Sequence, residues 1–572
     1  MSQTHILGKD AALEDSIASM QQKLQALDYN IVEQSWLNPI ANVWSVHIRD
    51  RDCPLLFTNG KGASKKAALA SALGEFFERL ACNYFWADYY LGDQRAKAEF
   101  VHYPNEKWFK PNGTKMPDGL LSETLWAFYN DEQELSPEMI IDTNSANISR
   151  GICALPYVRQ RDNETIYFPV NIIGNLYVSN GMSAGNTMAE ARVQALSEIF
   201  ERAIKFKIIA EGVCLPDIPE QILQRYPSVQ AGINELEQAG YPLLVKDASL
   251  GGKYPVLCVT LLNPKDQGCY ASFGAHPSFE VALERALTEL LQGRGLNALD
   301  DFAMPGFDLD EVASLQNLET HFIDSSGIIH WDYLSESADY SFSDWDFTAS
   351  TEEEFNYLCQ LIHEDQLDIY IADYDHLGVY ACRIIVPSMS EIYPVDDLIW
   401  ANNNAGMDLR ERILGFEDTT QQAQAELLVD LNNRDLDDQQ PVAALIGLAT
   451  DKDSIWSDLR VAELKTLLAL KTGNDEESLE GCQWLIYFAQ LDQERLKTYR
   501  CVDALLQFKL NNRGQKHSQH KQSISKLFGE KYLQQAEALI RGESLFSLQS
   551  DWKMHTLLIK GYDKLSKVTP RK

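Results

Sequence analysis

The sequence predicts an α+β protein in which a strand–turn–helix unit occurs three times and a helical region follows. Strand-like runs precede nearly apolar helices at three places before residue 295, and glutamates recur at matching positions in those helices. Strand-like runs are not found after residue 416. The pattern therefore favours repeated units followed by helices over a doubly wound sheet with a glycine-rich dinucleotide loop.

Length and charge limit the possible classes of protein. A chain of 572 residues exceeds the size at which a single core stops growing, so we expect a core of residues 1–415 and a helical domain of residues 416–572. The net charge of −33 argues against direct nucleic-acid binding and against binding to anionic membranes. The N-terminal sequence MSQTHILGKD has no signal pattern, and we expect a cytoplasmic protein.

The first elements lead directly into the first unit. DAALEDSIASMQQKLQALDYN has apolar residues at helical spacing, VWSVHIRD alternates like a strand, and CPLLFTNGKGAS runs from a strand through a turn into a helix. The turn sequence G-K-G-A-S does not satisfy G-x-x-x-x-G-K-[ST], so a P-loop is not predicted.

Three helices carry acidic residues at equivalent positions. Residues 181–202 match residues 58–79 at a shift of 123, and residues 274–294 match at a shift of 214. Each copy has a turn, a Ser or Thr that can cap a helix (Ser64, Thr187 or Ser278), and then an apolar helix. The aligned residues are Glu75, Glu78 and Arg79 in the first copy, Glu198, Glu201 and Arg202 in the second, and Glu289 and Gln292 in the third.

A single E-x-x-E-R helix is typical of a solvated face, but three copies in apolar helices favour a shared site. Burying carboxylates without partners costs several kcal/mol, so converging glutamates would need bound cations. Oxygen ligands favour hard ions such as magnesium, and the nearby arginines would then face phosphate. The residues predict a nucleotide site without a P-loop.

The paired L-x-E-x-F-E-R helices, S-A-G-N-T at 183–187 and E-R-A-L-T-E-L-L-Q-G-R at 284–294 resemble the YcaO superfamily, along nearly the whole chain. This resemblance implies a YcaO-type core that binds ATP with magnesium and phosphorylates a backbone amide oxygen of a peptide or protein. The implied metal ligands are Glu75, Glu78, Glu198, Glu201 and Glu289. The implied ATP contacts are Lys9, Ser16, Arg79, Ser183, Asn186, Glu190, Arg202 and Arg285, with Gln194 as a further candidate.

No catalytic residue is assigned from the sequence. His276, which precedes Pro277, is a candidate imidazole base, and Arg383 is a candidate substrate contact. A structural role is the alternative for both side chains.

The remaining segments up to residue 415 are predicted as follows. Residues 87–150 are read as irregular surface structure, and ETIYFPVNIIGNLYVSN as two strands. YPLLVKDAS, YPVLCVTLLN, LDIYIADY and GVYACRIIVPSM are further strand candidates.

After residue 416, amphipathic helices follow one another, as in a tetratricopeptide-like array that dimerises or binds a partner. The residues from Cys501 onward hold thirteen Lys and Arg against six Asp and Glu. The chain ends in KVTPRK, whereas family members that make azoline rings commonly end in a proline-rich tail. Similarity to enterobacterial members instead implies an accessory role in β-methylthiolation of small-subunit ribosomal protein twelve.

Three other classes compete with this interpretation, of which a purely structural protein is disfavoured by the acidic residues repeated in three apolar helices. A carboxylate di-iron bundle would require E-x-x-H, but the residue three after each key Glu is Glu or Gln. A non-catalytic ATP-binding scaffold fits the same ligands and stays open.

Overall fold

The computed structural model describes residues 3–400, 402–489, 491–511, 520–543 and 550–567, so the terminal VTPRK lies outside the described residues. The strands are β1 (Ile31–Ile40), β2 (Val43–Asp50), β3 (Phe57–Gly62), β4 (Lys107–Phe109), β5 (Ile152–Arg159), β6 (Thr165–Pro169), β7 (Met182–Gly185), β8 (Leu243–Asp247), β9 (Val256–Leu262), β10 (Cys269–Ala275), β11 (Tyr370–Tyr374) and β12 (Tyr380–Ile385).

The helices between the strands are α1 (Leu13–Ala26), α2 (Lys65–Ala81), α3 (Asp93–Ala96), α4 (Glu123–Tyr129), α5 (Val170–Ile172), α6 (Met188–Glu211), α7 (Glu220–Leu223), α8 (Pro227–Gln238), α9 (Phe279–Leu290), α10 (Leu309–Val312), α11 (Leu315–Ile323) and α12 (Thr351–Glu364). After the last strand come α13 (Asp397–Trp400), α14 (Arg410–Gly415), α15 (Gln421–Asn432), α16 (Val442–Leu445), α17 (Val461–Thr472), α18 (Asp475–Phe488), α19 (Gln493–Asn511), α20 (Lys521–Phe528), α21 (Glu530–Ile540) and α22 (Lys553–Ser566).

The strands form three antiparallel sheets. Their orders are β1-β2-β3, β10-β9-β8 and β4-β5-β11-β12-β7, with β6 also paired to β5. The strands that precede the glutamate helices, β3, β7 and β10, each lie at one end of a sheet. The register places Gly62 opposite Trp44, Ser183 opposite Cys382 and Gly274 opposite Leu257. Each glutamate helix therefore leaves the edge of a different sheet.

The predicted α+β class with repeated strand–turn–helix units is confirmed. VWSVHIRD is β2, and α1 buries Leu13, Met20 and Leu24 on its apolar face. Helix α2 is buried around most of its circumference by small and aromatic residues, because it packs between sheets. Within the described residues, no helix combines the length and apolar character that spanning a membrane requires.

Two sequence predictions in the core are wrong. NIIGNLYVSN forms α5 and a π-helical turn, Ile173–Tyr177, instead of a second strand. In this turn, Asn175 Nδ2 donates to the carbonyl of Asn171 at 2.9 Å. Residues 87–150 do contain few regular elements, but they are not only surface, because Leu125, Tyr129 and Ile140 are buried.

The C-terminal helices have a hydrophobic core of their own, which runs from Leu409 to Leu539. Helix α22 packs elsewhere: Leu558, Tyr562 and Leu565 lie in the core formed by α1 and α2. Its backbone carbonyls accept hydrogen bonds from the N-terminal core, where Tyr29 OH donates to Gly561 at 2.8 Å. The end of the helical region thus supports the first glutamate helix, and a tetratricopeptide-like arrangement stays a prediction.

The buried side chain of Lys205 on α6 holds α11 in place through hydrogen bonds. Lys205 Nζ donates to the carbonyl of His321 at 2.5 Å and to Ser325 Oγ at 2.6 Å. The His321 imidazole lies 3.1 Å from the carbonyl of Ile328 through Nε2. Burial and the charge of Lys205 lower the pKa of His321 to about 4.

We expect His321 to contribute to acid sensitivity. Below its ordinary pKa of about 6.5, the unfolded chain takes up a proton that the folded protein excludes, so stability falls as the pH approaches 4. The loss is roughly 3 kcal/mol for this group. The unfolding temperature of His321→Gln should depend less on pH, between neutrality and pH 4, than that of the unchanged protein. The control His5→Gln, at an exposed position, should show the same pH dependence as the unchanged protein. Equal pH dependence in His321→Gln would contradict this assignment.

Candidate functional site

The three glutamate helices converge because each one packs on two sheets. Helix α2 lies against β3 and β7, α6 against β7 and β10, and α9 against β10 and β3. The units are therefore linked in a closed cycle, each helix touching its own strand and the strand of the next unit. An ion pair between Lys61 on β3 and Glu289 on α9 joins the third unit back to the first.

Small residues make this close packing possible. A Cβ atom on Gly60 would lie 2.0 Å from the carbonyl oxygen of Ala68, and one on Gly274 would lie 2.4 Å from that of Ala282. Only glycine permits such an approach of backbone to backbone. Gly60 and Gly274 are equivalent at the shift of 214, so the first and third units share packing as well as sequence.

A pair of hydroxyl groups repeats the same correspondence. Thr58 Oγ1 donates to the carbonyl of Ala72 at 2.8 Å, and Ser272 Oγ donates to that of Ala286 at 2.8 Å. Both donors and both acceptors are related by the shift of 214. The buried hydroxyls thereby fix each helix along its strand at the same register.

The helix caps agree with the prediction in two of the three units. Ser64 accepts a hydrogen bond from the N–H of Ala67, and Thr187 accepts one from the N–H of Glu190. The prediction for Ser278 is wrong, because its side chain makes no cap hydrogen bond. Its own N–H instead donates to Nδ1 of His276 at 3.0 Å.

The predicted carboxylates lie around one half-buried group of side chains, called the glutamate cavity below. The paired side chains in it keep 20 to 31% of their surface exposed, so the cavity opens to solvent. Glu78 and Glu201 make no ion pair within 4 Å among the described residues. The ion pairs are Glu75 with Arg79 at 2.5 Å, Glu198 with Arg202 at 2.6 Å, and Glu289 with Lys61.

The electrostatics of the cavity confirm that the carboxylates are close together. Burial raises the pKa of Glu78 well above its ordinary value, and the charges of Glu198 and Glu75 raise it further. Burial also raises the pKa of Glu198. The Lys61 ammonium has a lowered pKa because of burial, although Glu201 and other acids of the cavity oppose that shift.

These residues fit a magnesium–nucleotide group. The donors are carboxylate oxygens, which hard divalent cations prefer, and the raised pKa of Glu78 shows that Arg79 and Arg202 do not offset burial and the neighbouring carboxylates. The Nε atoms of Arg79 and Arg202 are buried and have no hydrogen-bond partner in the part of the chain that the structure describes. Each guanidinium therefore has a donor left for a further acceptor, such as a phosphate oxygen.

A second group of predicted residues lies where α1 meets the start of α6. Lys9 Nζ contacts Glu190 Oε1 at 3.1 Å, and Ser16 Oγ donates to Asn186 Oδ1 at 2.7 Å. The Asp10 N–H donates to Glu190 Oε2 at 2.9 Å. Burial raises the pKa of Glu190, but Lys9 and these hydrogen bonds outweigh it and lower the pKa overall. Glu190 is therefore a carboxylate that holds the N-terminal segment.

Arg285 and His276 connect the two groups. Arg285 donates to the carbonyl of Ala275 at 2.8 Å and to the side chain of Gln194, which lies between Glu190 and Glu198 on α6. Burial lowers the pKa of His276 well below its ordinary value, and the charges of Arg285 and Lys9 add to the effect. His276 is therefore neutral, with Nδ1 occupied by a backbone N–H.

Two predicted candidates lie apart from these contacts. Ser183 is fully buried, and its hydroxyl lies 3.5 Å from the carbonyl of Ala184. Arg383 is buried and donates to the carbonyls of Ile173 and Val178, so it holds the π-helical turn. These contacts agree with the structural alternative for Arg383 and not with a substrate contact.

Sequence reasoning missed Lys61 and Glu354. Lys61 lies in the G-K-G-A-S turn, but only the packing of α9 on β3 shows that it faces Glu289. Glu354 on α12 is buried and lies 3.9 Å from Nε2 of His276. A lysine repeated just before each glutamate helix would have pointed to Lys61. The second and third units have no lysine at the equivalent position, so this signal is absent from the sequence.

Two family descriptions match the chain. The one for the YcaO cyclodehydratase, ATP- and Mg2+-binding, matches residues 59–390, and the one for the YcaO cyclodehydratase C-terminal domain matches residues 406–571. A relative from Escherichia coli strain K12, "Ribosomal protein S12 methylthiotransferase accessory factor YcaO", is 53% identical over 99% of both chains. An "Uncharacterized protein" of Haemophilus influenzae is also 53% identical, over 99% of this chain and 98% of its own length.

Similar solved structures are more distant. A heterocyclase in complex with substrate and cofactor has a TM-score of 0.46 at 16% identity, covering 68% of this chain and 54% of its own. YcaO from Methanopyrus kandleri bound with AMPPCP and Mg2+ has a TM-score of 0.45 at 16% identity, covering 69% of this chain and 97% of its own.

Proposed function

Because this chain belongs to the YcaO family, we propose that it binds ATP and magnesium in the glutamate cavity and activates a polypeptide by phosphorylating a backbone amide oxygen. The observation that carries the proposal is the arrangement of side chains from three related helices. Five carboxylates lie near two arginines, Arg79 and Arg202, whose Nε–H groups make no hydrogen bond among the described residues. The identity to the Escherichia coli accessory factor supports ribosomal protein S12, or the enzyme that modifies it, as the protein acted upon.

The residues divide into two roles. We assign Glu75, Glu78, Glu198, Glu201 and Glu289 to holding magnesium. We assign Lys9, Ser16, Arg79, Asn186, Glu190, Arg202 and Arg285 to the nucleotide and its immediate support, and we exclude Ser183 because its buried hydroxyl lies apart from these contacts. When bound, magnesium would neutralise charge on the phosphates during transfer, and ATP is the phosphoryl-donating substrate.

Three properties of the side chains in and beside the cavity bear on this function. The unpaired Nε–H groups of Arg79 and Arg202 can donate to phosphate oxygens and stabilise their charge. Lys61 can leave Glu289 when a divalent cation takes its place, because the same carboxylate serves both. Neutral His276 keeps its ring fixed by the N–H of Ser278, and so cannot accept a second proton at ordinary pH without breaking that bond.

The proposed reaction has two steps, phosphorylation of the amide oxygen and displacement of phosphate. The amide oxygen attacks the γ-phosphorus, the bond from that phosphorus to the bridging oxygen breaks, and ADP leaves. A nucleophile then adds to the activated carbonyl carbon, and phosphate leaves with the former amide oxygen. The nucleotide cavity needs to supply charge stabilisation and orientation, which the arginines and carboxylates provide.

Oxygen isotope transfer tests this function. We expect protein S12 produced in H2¹⁸O, incubated with this protein, ATP, magnesium and the cognate methylthiotransferase, to pass ¹⁸O into the released phosphate. Mass spectrometry of the phosphate measures the transfer. Phosphate release without label would contradict amide activation, and ATP binding without any release would favour the non-catalytic scaffold.

We further propose that the helical region 416–572 mediates dimerisation or partner binding. Tyr487 and Phe488 at the end of α18 support this, since their side chains are 79% and 64% exposed.

A further inference from the structure

One long stretch of this chain carries acidic charge alone. Residues 295–382 contain twenty Asp and Glu and no Lys or Arg, although the whole chain has 50 basic residues. The stretch includes α10, α11 and α12. A surface formed from it has no cations of its own to balance the carboxylates, so it attracts positively charged partners.

The same stretch exposes large apolar side chains. Phe307 is 81% exposed and Trp331 is 40% exposed, and their rings stack with centroids 5.8 Å apart. Leu309 in α10 is also exposed and packs toward Gly212 and His330. We call Phe307, Leu309 and Trp331 the aromatic surface. Exposed aromatic pairs on a soluble protein mark contacts with other molecules more often than isolated apolar residues do.

The aromatic surface is held rigidly by backbone hydrogen bonds. The Gly306 N–H donates to the carbonyl of Ile329 at 2.9 Å, and the Trp331 N–H donates to that of Gly306 at 3.0 Å. His330 Nε2 lies 3.2 Å from the carbonyl of Phe307. The two rings are therefore fixed before any partner arrives, which reduces the entropy lost on binding.

Acidic residues surround the aromatic surface. Asp308 and Asp310 lie beside Phe307 in the chain, Asp332 follows Trp331, and all three are exposed. Asp308 Oδ1 also accepts hydrogen bonds from the N–H groups of Asp310 and Glu311, which fixes this carboxylate at the start of α10. An apolar centre with an acidic rim fits a partner that carries the opposite arrangement of charge around apolar side chains.

The same segment also touches the nucleotide cavity. The Arg202 guanidinium lies 4.4 Å from the centre of the Phe322 ring, and Arg202 pairs with Glu198 of the cavity. Lys205 on the next turn of α6 binds α11 through His321. A polypeptide bound at the aromatic surface could therefore follow α11 toward the place where phosphate is proposed to bind.

We infer that the aromatic surface and its acidic rim dock a basic polypeptide segment with apolar side chains, and that this segment belongs to the polypeptide substrate. The inference rests on the proposed function. Nucleic acids and anionic membranes are repelled by this charge. In a second copy of the chain, the residues from Cys501 onward carry excess basic charge, so a second copy is the competing occupant.

The test uses a fluorescein-labelled peptide of alternating lysine and leucine. We expect fluorescence anisotropy to detect binding to the full-length protein that weakens as salt is added. Two matched peptides replace either all leucines with serine or all lysines with glutamate, and both should bind at least about tenfold more weakly. No binding of the lysine–leucine peptide, or equal binding of all three peptides, would overturn the inference.

Variants locate the binding on the protein. Phe307→Ser with Trp331→Ser should weaken binding by about tenfold or more, as should the triple change Asp308→Asn, Asp310→Asn and Asp332→Asn. The apolar control is Ile148→Ser with Val158→Ser, and the charge control is Asp131→Asn, Glu132→Gln and Glu134→Gln, all on exposed positions. If a control variant loses as much binding as its test variant, the inference is wrong.

Two further readouts separate this inference from the proposed function. Peptide binding that survives while the protein fails to bind ATP would reject the proposed function and leave the docking surface supported. ATP binding with no effect of the Phe307 and Trp331 changes on peptide affinity would reject the surface alone. A dimer in sedimentation velocity that disappears with the Phe307 and Trp331 changes would identify a second copy as the occupant and overturn the inference.

Discussion

Replacing Glu201 with glutamine is expected to lower the magnesium-dependent affinity for ATP by more than about a hundredfold, which exceeds the effect typical of residues outside the metal shell. The amide keeps the size of the side chain but loses the charge that a divalent cation requires. The same result is expected for Glu75→Gln. Isothermal titration calorimetry of ATP into protein with and without magnesium measures the change.

The control for this prediction lies on the same helix. Glu211 is exposed at the end of α6 and pairs with Lys207 at 2.7 Å, away from the cavity. Glu211→Gln should bind ATP like the unchanged protein. Glu201→Gln itself should fold normally, because the amide keeps the size and shape of the side chain. Normal ATP affinity in Glu201→Gln would remove this residue from the site.

Replacing Gly274 with alanine is expected to destabilise the protein by about 3 kcal/mol or more. The added Cβ would lie 2.4 Å from the carbonyl oxygen of Ala282 and 2.5 Å from the N of Ala286, both backbone atoms of α9. Helix and strand must then separate, which moves Arg285 and Glu289. Denaturant unfolding measures the loss, and ATP affinity should fall with it.

Gly74→Ala provides the comparison for Gly274→Ala. Gly74 lies in the middle of α2, and a Cβ there would meet no atom within 4 Å. This change should stabilise the protein by about 0.5 to 1 kcal/mol, because alanine has the higher helix propensity. If Gly274→Ala proves as stable as Gly74→Ala, the close strand–helix approach described here is wrong.

The repeated units could be predicted because their signals are local. The turns, caps and apolar helices recur at fixed shifts, and the same shift of 214 relates the hydrogen bonds of Thr58 and Ser272. The sequence did not predict β10, the strand directly before the third glutamate helix. Strand β10 has small residues, a glycine and no alternation, since all of its residues are buried, and this pattern is ambiguous without its partner β9.

Contacts across the chain could not be predicted from the sequence. Lys61 was seen only as part of a failed P-loop match, because its partner Glu289 is more than two hundred residues away. Helix α22 packs on α1 and α2 through Leu558 and Tyr562. Their spacing predicts an amphipathic helix but does not indicate which part of the protein that helix packs against. The role of Arg383 was also hidden, since its acceptors are backbone carbonyls of an irregular turn.

The central claim is that carboxylates from three helices hold magnesium against ATP. Anomalous diffraction from crystals grown with manganese and a non-hydrolysable ATP analogue tests this most directly. The account predicts metal peaks about 2 Å from oxygens of the cavity glutamates, with phosphates facing Arg79 and Arg202. Metal and nucleotide bound elsewhere, with Lys61 still paired to Glu289, would contradict it.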